Sequence, residues 1–570
     1  MSRTPGPDLS AVFVEQAEYL EADAFVAWTA EHPQEKSILQ KLCMGGAKLI
    51  VGPRGSGKTT LLLRAYRRLL EPNSRGLPVY VNFKSSLRLE PMYKNHANAM
   101  YWFNRWMLLK CYVGLLETVD QLRLPPPPEL RYSREEAVRL ASMLELRADA
   151  ASAEAHSDLT VENLAEDIDR VLDASGRVRC LLLLDDAAHA FAPEQQRDFF
   201  DFFRRVRSRR VAPKAAIYPG VTIVSPSFHI GHDAEEIDVW LDPYASEYLP
   251  FMRGLLRRRL PADVYAEMNK SEPLLDLLCF GAFGMPRALL NMVRGFYFED
   301  DADGSGWITK RFTAKAVLRA IRASFDNTVG VYTSLRHKLP MYQNFIEAGE
   351  ELLTEALEAV KRYNRSKHES RQSVTIAVQT PVSVELERVF GFLEYAGLVM
   401  SGTKVSRGVK GRFELLRLHA GGLIDRNALL GRKSVRADLF SKALQTRNAH
   451  EFTRVSPSNL LKVDDLAARL TLALPPCQKC GAPRATETAR FCLNCGSPLT
   501  AMSTFRSLVE RDIADLPLSQ TRVNRIRSHS TIRTVGDILM DHERRKLRAV
   551  PWVGPYWADR IYRYAEEYIA

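Results

Sequence analysis

The chain has little of what would carry it into or across a membrane. Its first residues, Met1-Ser-Arg-Thr-Pro-Gly-Pro-Asp8, contain no apolar core, so no secretory leader is expected. The apolar run Cys180 to Leu184 is far too short to cross a bilayer. A soluble, cytoplasmic protein with no membrane partner is therefore expected. No repeat recurs at solenoid periods. No nuclease, protease, deaminase or polymerase constellation is visible either. Cysteine is scarce, with eight in 570 residues. Four of them, Cys43, Cys111, Cys180 and Cys279, lie scattered in apolar surroundings and read as small buried hydrophobes of a reducing compartment. What is present is ordinary globular composition, 46% hydrophobic and 26% charged. The length exceeds one core and implies three or four domains. The net charge of +11 favours a polyanionic partner, nucleic acid first.

The most informative stretch is Leu49-Ile-Val-Gly-Pro-Arg-Gly-Ser-Gly-Lys-Thr-Thr60. An apolar strand enters Gly52-x-x-x-x-Gly57-Lys58-Thr59, and a helical pattern (Leu61, Leu62, Leu63, Tyr66) follows. Glycines let backbone N–H groups turn inward around phosphate oxygens, and the helix adds the positive end of its dipole. Residues Gly52, Pro53, Arg54, Gly55, Ser56, Gly57, Lys58, Thr59 and Thr60 are expected to cradle ATP. Lys58 is assigned to the β- and γ-phosphates and the Thr59 hydroxyl to Mg²⁺. A second strand, Arg179-Cys-Leu-Leu-Leu-Leu-Asp185-Asp186, ends in two carboxylates. Asp185 suits a Mg²⁺ partner, and Asp186 suits orientation of an attacking water. The alternative for Asp186 is a cap for the next turn.

Around these motifs, residues 11–45 read as helical. Further strands are expected at Pro78 to Phe83 and Ala215 to Thr222. Helices are expected at Ala99 to Val119, Val161 to Asp173 and Pro193 to Arg209. Alternation of apolar strands with helices implies an α/β fold with a parallel sheet covered on both faces. Pro125 to Pro128 is a stiff extended loop. The pattern turns helical from Tyr244 to Phe296 and again over 310–363. A helix at Val384 to Ala396 and two β-like runs, Leu398 to Met400 and Phe413 to Leu418, suggest a winged helix. Lys404, Arg407, Lys410 and Arg412 lie on its wing and could follow a phosphate backbone.

Near the C-terminus, Cys477-Gln-Lys-Cys480-Gly481 and Cys492-Leu-Asn-Cys495-Gly496 form two C-x₂-C-Gly units. Cys477, Cys480, Cys492 and Cys495 can complete a closed Zn²⁺ tetrahedron, which makes the metal structural. The glycine after each pair admits the positive φ of a tight turn.

Gly52 to Thr59, Leu181 to Asp186 with Ala187-Ala-His189, and Gly284-Met-Pro-Arg287 resemble the AAA+ P-loop ATPases of the origin-recognition-complex type. The STAND signalling ATPases are a more distant match. The resemblance covers about residues 40–300. It implies that Arg287 is a sensor-2 arginine reaching the γ-phosphate from a helical lid. Thr222 would be the polar sensor-1 residue, with Ser225 as rival. Arg209 and Arg210 would supply an arginine finger to a neighbouring subunit, which implies a homo-oligomer. The cysteine segment resembles a small zinc ribbon. The order of elements over 510–570, with Leu547-Arg-Ala-Val-Pro-Trp-Val-Gly554-Pro-Tyr-Trp557, resembles helix-hairpin-helix domains, particularly the C-terminal domain of bacterial RNA polymerase α subunit. There the backbone around Val553-Gly554 would meet DNA phosphates. This hairpin departs from the family in carrying one glycine and the bulky Trp552, Tyr556 and Trp557.

The expected order is an N-terminal helical segment (1–40), AAA+ core (41–240), helical lid (241–308) and winged-helix-like domain (309–435). A helical linker (436–472), zinc ribbon (473–500) and helix-hairpin-helix domain (505–570) follow. The implied cofactors are ATP, Mg²⁺ and Zn²⁺. The reading is an ATP hydrolase, with slow turnover where Asp186 replaces a longer glutamate. Its ATP cycle would switch assembly and engagement of double-stranded DNA or a protein partner or effector enzyme. A bacterial setting such as mobile-element control, antiviral defence or replication fits. The alternative is a STAND-like signalling switch that oligomerises on a protein trigger with little turnover.

Overall fold

The computed structural model describes residue 14 and residues 16–91, 99–124, 129–146, 159–186, 192–297, 312–367, 371–406, 411–429, 437–446, 452–462, 465–484, 486, 489, 491–499 and 503–569. Met1–Asp8, the prolines 125–128, Ala187–His189, Arg407 and Lys410 lie outside the described residues.

Five strands form one parallel sheet: β1 (Lys48–Val51), β2 (Gly76–Asn82), β3 (Arg179–Asp185), β4 (Val211–Ile217) and β5 (Glu235–Asp238), in the order β2-β3-β4-β1-β5. The apolar run of β3 explains its central place. Leu181 and Leu183 point into one apolar cluster with Leu61, Leu62 and Ala65 of the helix Lys58–Leu70. Leu182 and Leu184 point into the opposite cluster, with Trp106 of the helix Ala99–Leu122 and Phe199 and Phe203 of the helix Pro193–Val206. A strand buried on both faces needs apolar residues at every position, and this is the α/β arrangement expected. The register pairs Val51 with Ile217 and with Asp238, and Asn82 with Asp185. The carboxyl ends of the strands therefore gather along one edge, where ligands of open α/β sheets bind.

A second body follows. Four helices between Tyr248 and Tyr297, the helices Ala314–Lys338 and Gln343–Asn364, and a second sheet share one apolar core running from Tyr218 to Leu470. That sheet has the order β7-β8-β6-β9, with β6 (Thr375–Thr380), β7 (Val399–Ser406), β8 (Arg412–Leu418) and β9 (Thr453–Val455). The helix Val384–Ala396 starts where the Ser383 hydroxyl accepts from Leu386 N and stops at Gly397, φ +83. Hairpin β7–β8 follows it, as a winged helix requires.

Three expectations need correction. The helical stretch 11–45 is broken near Pro33 into Ala22–Trp28 and Glu35–Cys43, since proline lacks the N–H that a continuing helix needs. Strand β4 ends at Ile217, not Thr222, because Pro219 and Gly220 (φ +70) turn the chain there. Residues 436–472, expected as a helical linker, also carry the strand β9. Phe440, Ala443 and Leu444 make an apolar face on the helix Ala437–Thr446 that joins the main core, and β9 pairs in parallel with β6.

The two bodies touch at backbone level. A Cβ on Gly220 would lie 2.0 Å from the Gly391 carbonyl carbon, so only glycines permit this approach.

Candidate nucleotide and zinc sites

The loop after β1 holds Gly55 and Gly57 in the left-handed region, at φ +89 and +99. Its last residues begin the helix Lys58–Leu70, so free N–H groups and a positive dipole end face the cleft. Lys58 is buried, with Nζ donating to Gly52 O (2.7 Å) and Pro53 O (3.0 Å) and lying 3.7 Å from the centre of the Tyr218 ring. Asp185 closes β3 and accepts from Tyr80 Oη (2.8 Å) and from the Thr59 hydroxyl. The two residues assigned to Mg²⁺ are thus brought into contact. Asp186 adopts φ +51, and its carboxylate accepts from Tyr218 Oη at 2.8 Å.

Burial dominates the electrostatics. It raises the Asp185 carboxyl to about 7, and the neighbouring charges of Asp186 and Glu18 push the same way. Burial lowers the Lys58 ammonium to about 7, partly opposed by Asp186 and Asp185. The fold therefore retains a proton on Asp185 that the unfolded chain releases near 3.8, so it loses stability as pH rises from there toward 7. A metal needs the ionised carboxylate. We expect the affinity for Mg²⁺ in the presence of saturating ATP to fall about tenfold per pH unit below 7, one proton being displaced per ion. Calorimetry in two buffers of different ionisation enthalpy reads that proton; equal heats at pH 6 would remove Asp185 from the metal.

Arg287 enters from the N-terminus of the helix Pro286–Tyr297, after Gly284. It lies over the loop so closely that a Cβ on Gly55 would meet Arg287 Cβ at 3.1 Å. The Ser56 hydroxyl and Arg287 Nε are both buried without a hydrogen-bond partner. Buried polar groups seldom stay unpaired, so both mark places for ligand atoms. The cleft encloses about 1130 Å³, counting space open to solvent. Beyond the phosphate end it runs between His32, Phe251 and Leu290, an edge suited to a planar base. Cradle, orphaned donors and apolar slot fit a nucleoside triphosphate with its Mg²⁺.

Not all expected residues meet there. The Thr222 hydroxyl accepts from Tyr218 N at 3.0 Å, and the Ser225 hydroxyl donates to Asp201 at 2.8 Å; neither lines the cleft, whereas Tyr218 does. Arg209 and Arg210 precede β4, at the end of the sheet away from the loop. Arg210 is paired with Asp169 (3.2 Å) and Asp173 (2.7 Å). Four residues were not foreseen: Tyr80, which donates to Asp185, and Tyr218, Glu18 and Glu567, which line the cleft. The first three carry no local sequence signal, and Glu567 comes from the far end of the chain.

The four clustered cysteines bring their sulfurs within 4.8 Å of one another. Sγ atoms of Cys477 and Cys495 are 3.6 Å apart, as are those of Cys480 and Cys492. The two loops repeat one geometry. Gly481 N donates to Cys477 O and Gly496 N to Cys492 O, each at 2.9 Å, with φ +71 and +65. The set can hold one Zn²⁺ with no position left open.

In the C-terminal unit, an apolar cluster from Leu508 to Ile569 holds five helices and a 3₁₀ turn together. Trp557 packs against it under the Arg522 guanidinium, 3.4 Å from the ring centre. Trp552, in contrast, is 63% exposed at φ +67 on the hairpin, with Arg525 beside it at 5.9 Å. Among the described residues no helix is long and apolar enough to cross a membrane.

No known family profile matches the chain, and no curated protein does. Several chains in solved structures are similar in part. One is the Cdc6p of Pyrobaculum aerophilum, at 15% identity and a TM-score of 0.27, over 75% of this chain and 98% of that one. Another is the ORC1 protein of Aeropyrum pernix in complex with DNA, at 16% identity and a TM-score of 0.23, over 69% and 92%.

Proposed function

We propose that this chain is a Mg²⁺-dependent ATP-binding switch of AAA+ type that hydrolyses ATP and engages DNA. The observation that carries the reading is the phosphate cradle: Lys58, the orphaned Ser56 hydroxyl and Arg287 Nε, and the Thr59–Asp185 pair converge on one cleft. In this reading Lys58 neutralises the phosphates. Thr59 and Asp185 would hold Mg²⁺, whose charge polarises the terminal phosphate. Asp186, held by Tyr218, orients water. Arg287 brings the helical lid onto the terminal phosphate. Arg209 or Arg210 acts on a neighbour in an assembly. The net charge of +11, the exposed Trp552 with Arg525, and the basic wing support DNA as partner.

One observation favours a second reading, a signalling switch with the winged helix as an internal lever. Arg54 N donates to Tyr395 O at 3.4 Å, so the helix Val384–Ala396 abuts the phosphate loop. The two readings separate on DNA. The first expects duplex DNA to bind with an affinity that falls steeply with salt and to raise ATP turnover several-fold. Equal turnover with and without duplex, and no salt-dependent binding, would leave the second.

A further inference from the structure

The nucleotide cleft contains a residue from the opposite end of the chain. Glu567 lies in the last turn of the helix Pro555–Ile569. Its carboxylate stands 3.5 Å from Arg287 Nη1 and accepts from Gln16 Nε2, while its carbonyl accepts from Arg54 Nη2 at 2.9 Å. Burial opposes the charge on this carboxylate, but the fields of Arg287, Arg54 and Lys84 outweigh it and hold it ionised. A second anchor lies elsewhere on the same unit. Glu90, 1% exposed, accepts from the Ser503 hydroxyl (2.5 Å), Thr504 N (3.3 Å) and Phe505 N (3.4 Å). Leu87 of the core is part of the C-terminal unit's own apolar cluster. Glu567 is therefore seated by a docked domain and not by one stray side chain.

We propose that the C-terminal helix is an intramolecular occupant of the phosphate end of the cleft. Glu567 takes the place of a terminal phosphate, so that a nucleoside triphosphate and the docked C-terminal unit exclude one another. The proposal rests on the nucleotide reading above. Both anions call on the Arg287 guanidinium. Two negative groups a few ångströms apart in a buried site repel strongly, so the same cation does not serve both well. A diphosphate, one phosphate shorter, would leave Glu567 in place. The mechanical consequence follows from the helix itself. It has 15 residues, and at about 1.5 Å rise per residue its two ends are roughly 20 Å apart. Glu567 sits at one end and the Val553-Gly554 hairpin with exposed Trp552 precedes the other. Loss of the Glu567 contact removes one of the two anchors of a rod whose far end is the surface assigned to a partner.

The test uses the full chain with and without Glu567→Gln, which keeps shape and removes charge. Calorimetry with Mg²⁺ is expected to show ATP bound about tenfold more tightly by the variant and ADP changed less than twofold. Independently, in the unmutated protein, amide exchange over 503–569 is expected to rise at least tenfold with a slowly hydrolysed ATP analogue and to stay level with ADP. Nucleotide binding with unchanged ATP preference in the variant, or exchange over 503–569 indifferent to the analogue, overturns the latch alone. Absence of nucleotide binding in both proteins overturns the nucleotide reading and the latch with it.

Discussion

Replacing Lys58 with alanine is expected to lower ATP affinity at least about 100-fold, roughly 2.7 kcal/mol, and to abolish turnover. The size follows from position. The ammonium sits in a buried site, where a charge acts on a phosphate through little intervening water. Lys58 rests on the carbonyls of Gly52 and Pro53 and on the Tyr218 ring. Those partners hold it in place through carbonyl oxygens, and no carboxylate is among its described hydrogen bonds. Burial brings the ammonium down to about 7, so a bound triphosphate would restore the proton. The alanine variant loses that, and it also strands two carbonyls at a cost of about 1–3 kcal/mol. Thermal unfolding recorded beside calorimetry keeps the two effects apart. A folded variant with unaltered ATP affinity would take Lys58 out of its role.

The phosphate loop could be read directly because its chemistry is local. Strand, glycines, lysine and helix occur within one short stretch, and the β3 carboxylates end an unbroken apolar run. The winged-helix hairpin was legible for the same reason. Strands β6 and β9 were not. Each is short, and their pairing is set by the core into which they pack and not by their own alternation. Tyr218 shows the limit inside the site. As a single tyrosine after an apolar strand it carries no spacing rule, yet it touches both Lys58 and Asp186. The strand expected to reach Thr222 stops at Ile217, because the turn at Pro219-Gly220 arrives earlier than the apolar pattern suggests. Glu567 lies beyond any local reading, since only tertiary docking carries it to Arg287.

Serine at both Cys477 and Cys480 should abolish zinc binding, taking metal content from one ion per chain to none. Four thiolates at about 2.3 Å from a central Zn²⁺ form a tetrahedron with edges of about 3.8 Å. The observed sulfur separations of 3.6 Å for Cys477–Cys495 and Cys480–Cys492 are close to that edge. A bound metal would also supply most of the local stability, because the segment has little else. Phe491 and Leu493 are 60% and 88% exposed, so the apolar side chains beside the cysteines are not packed into a core. Structural Zn²⁺ in such small units contributes about 10–16 kcal/mol of apparent binding energy, which here is folding energy. The four sulfurs lie outside the apolar clusters of the sheet and of the C-terminal unit, so unfolding should stay local. Amide exchange is expected to rise over 475–499 and remain unchanged over the strands β1 to β4. Zinc retained at one ion per chain in the double variant would contradict the ligand assignment, and a collapse of protection in the central sheet would contradict the claim that the metal acts only on its own segment.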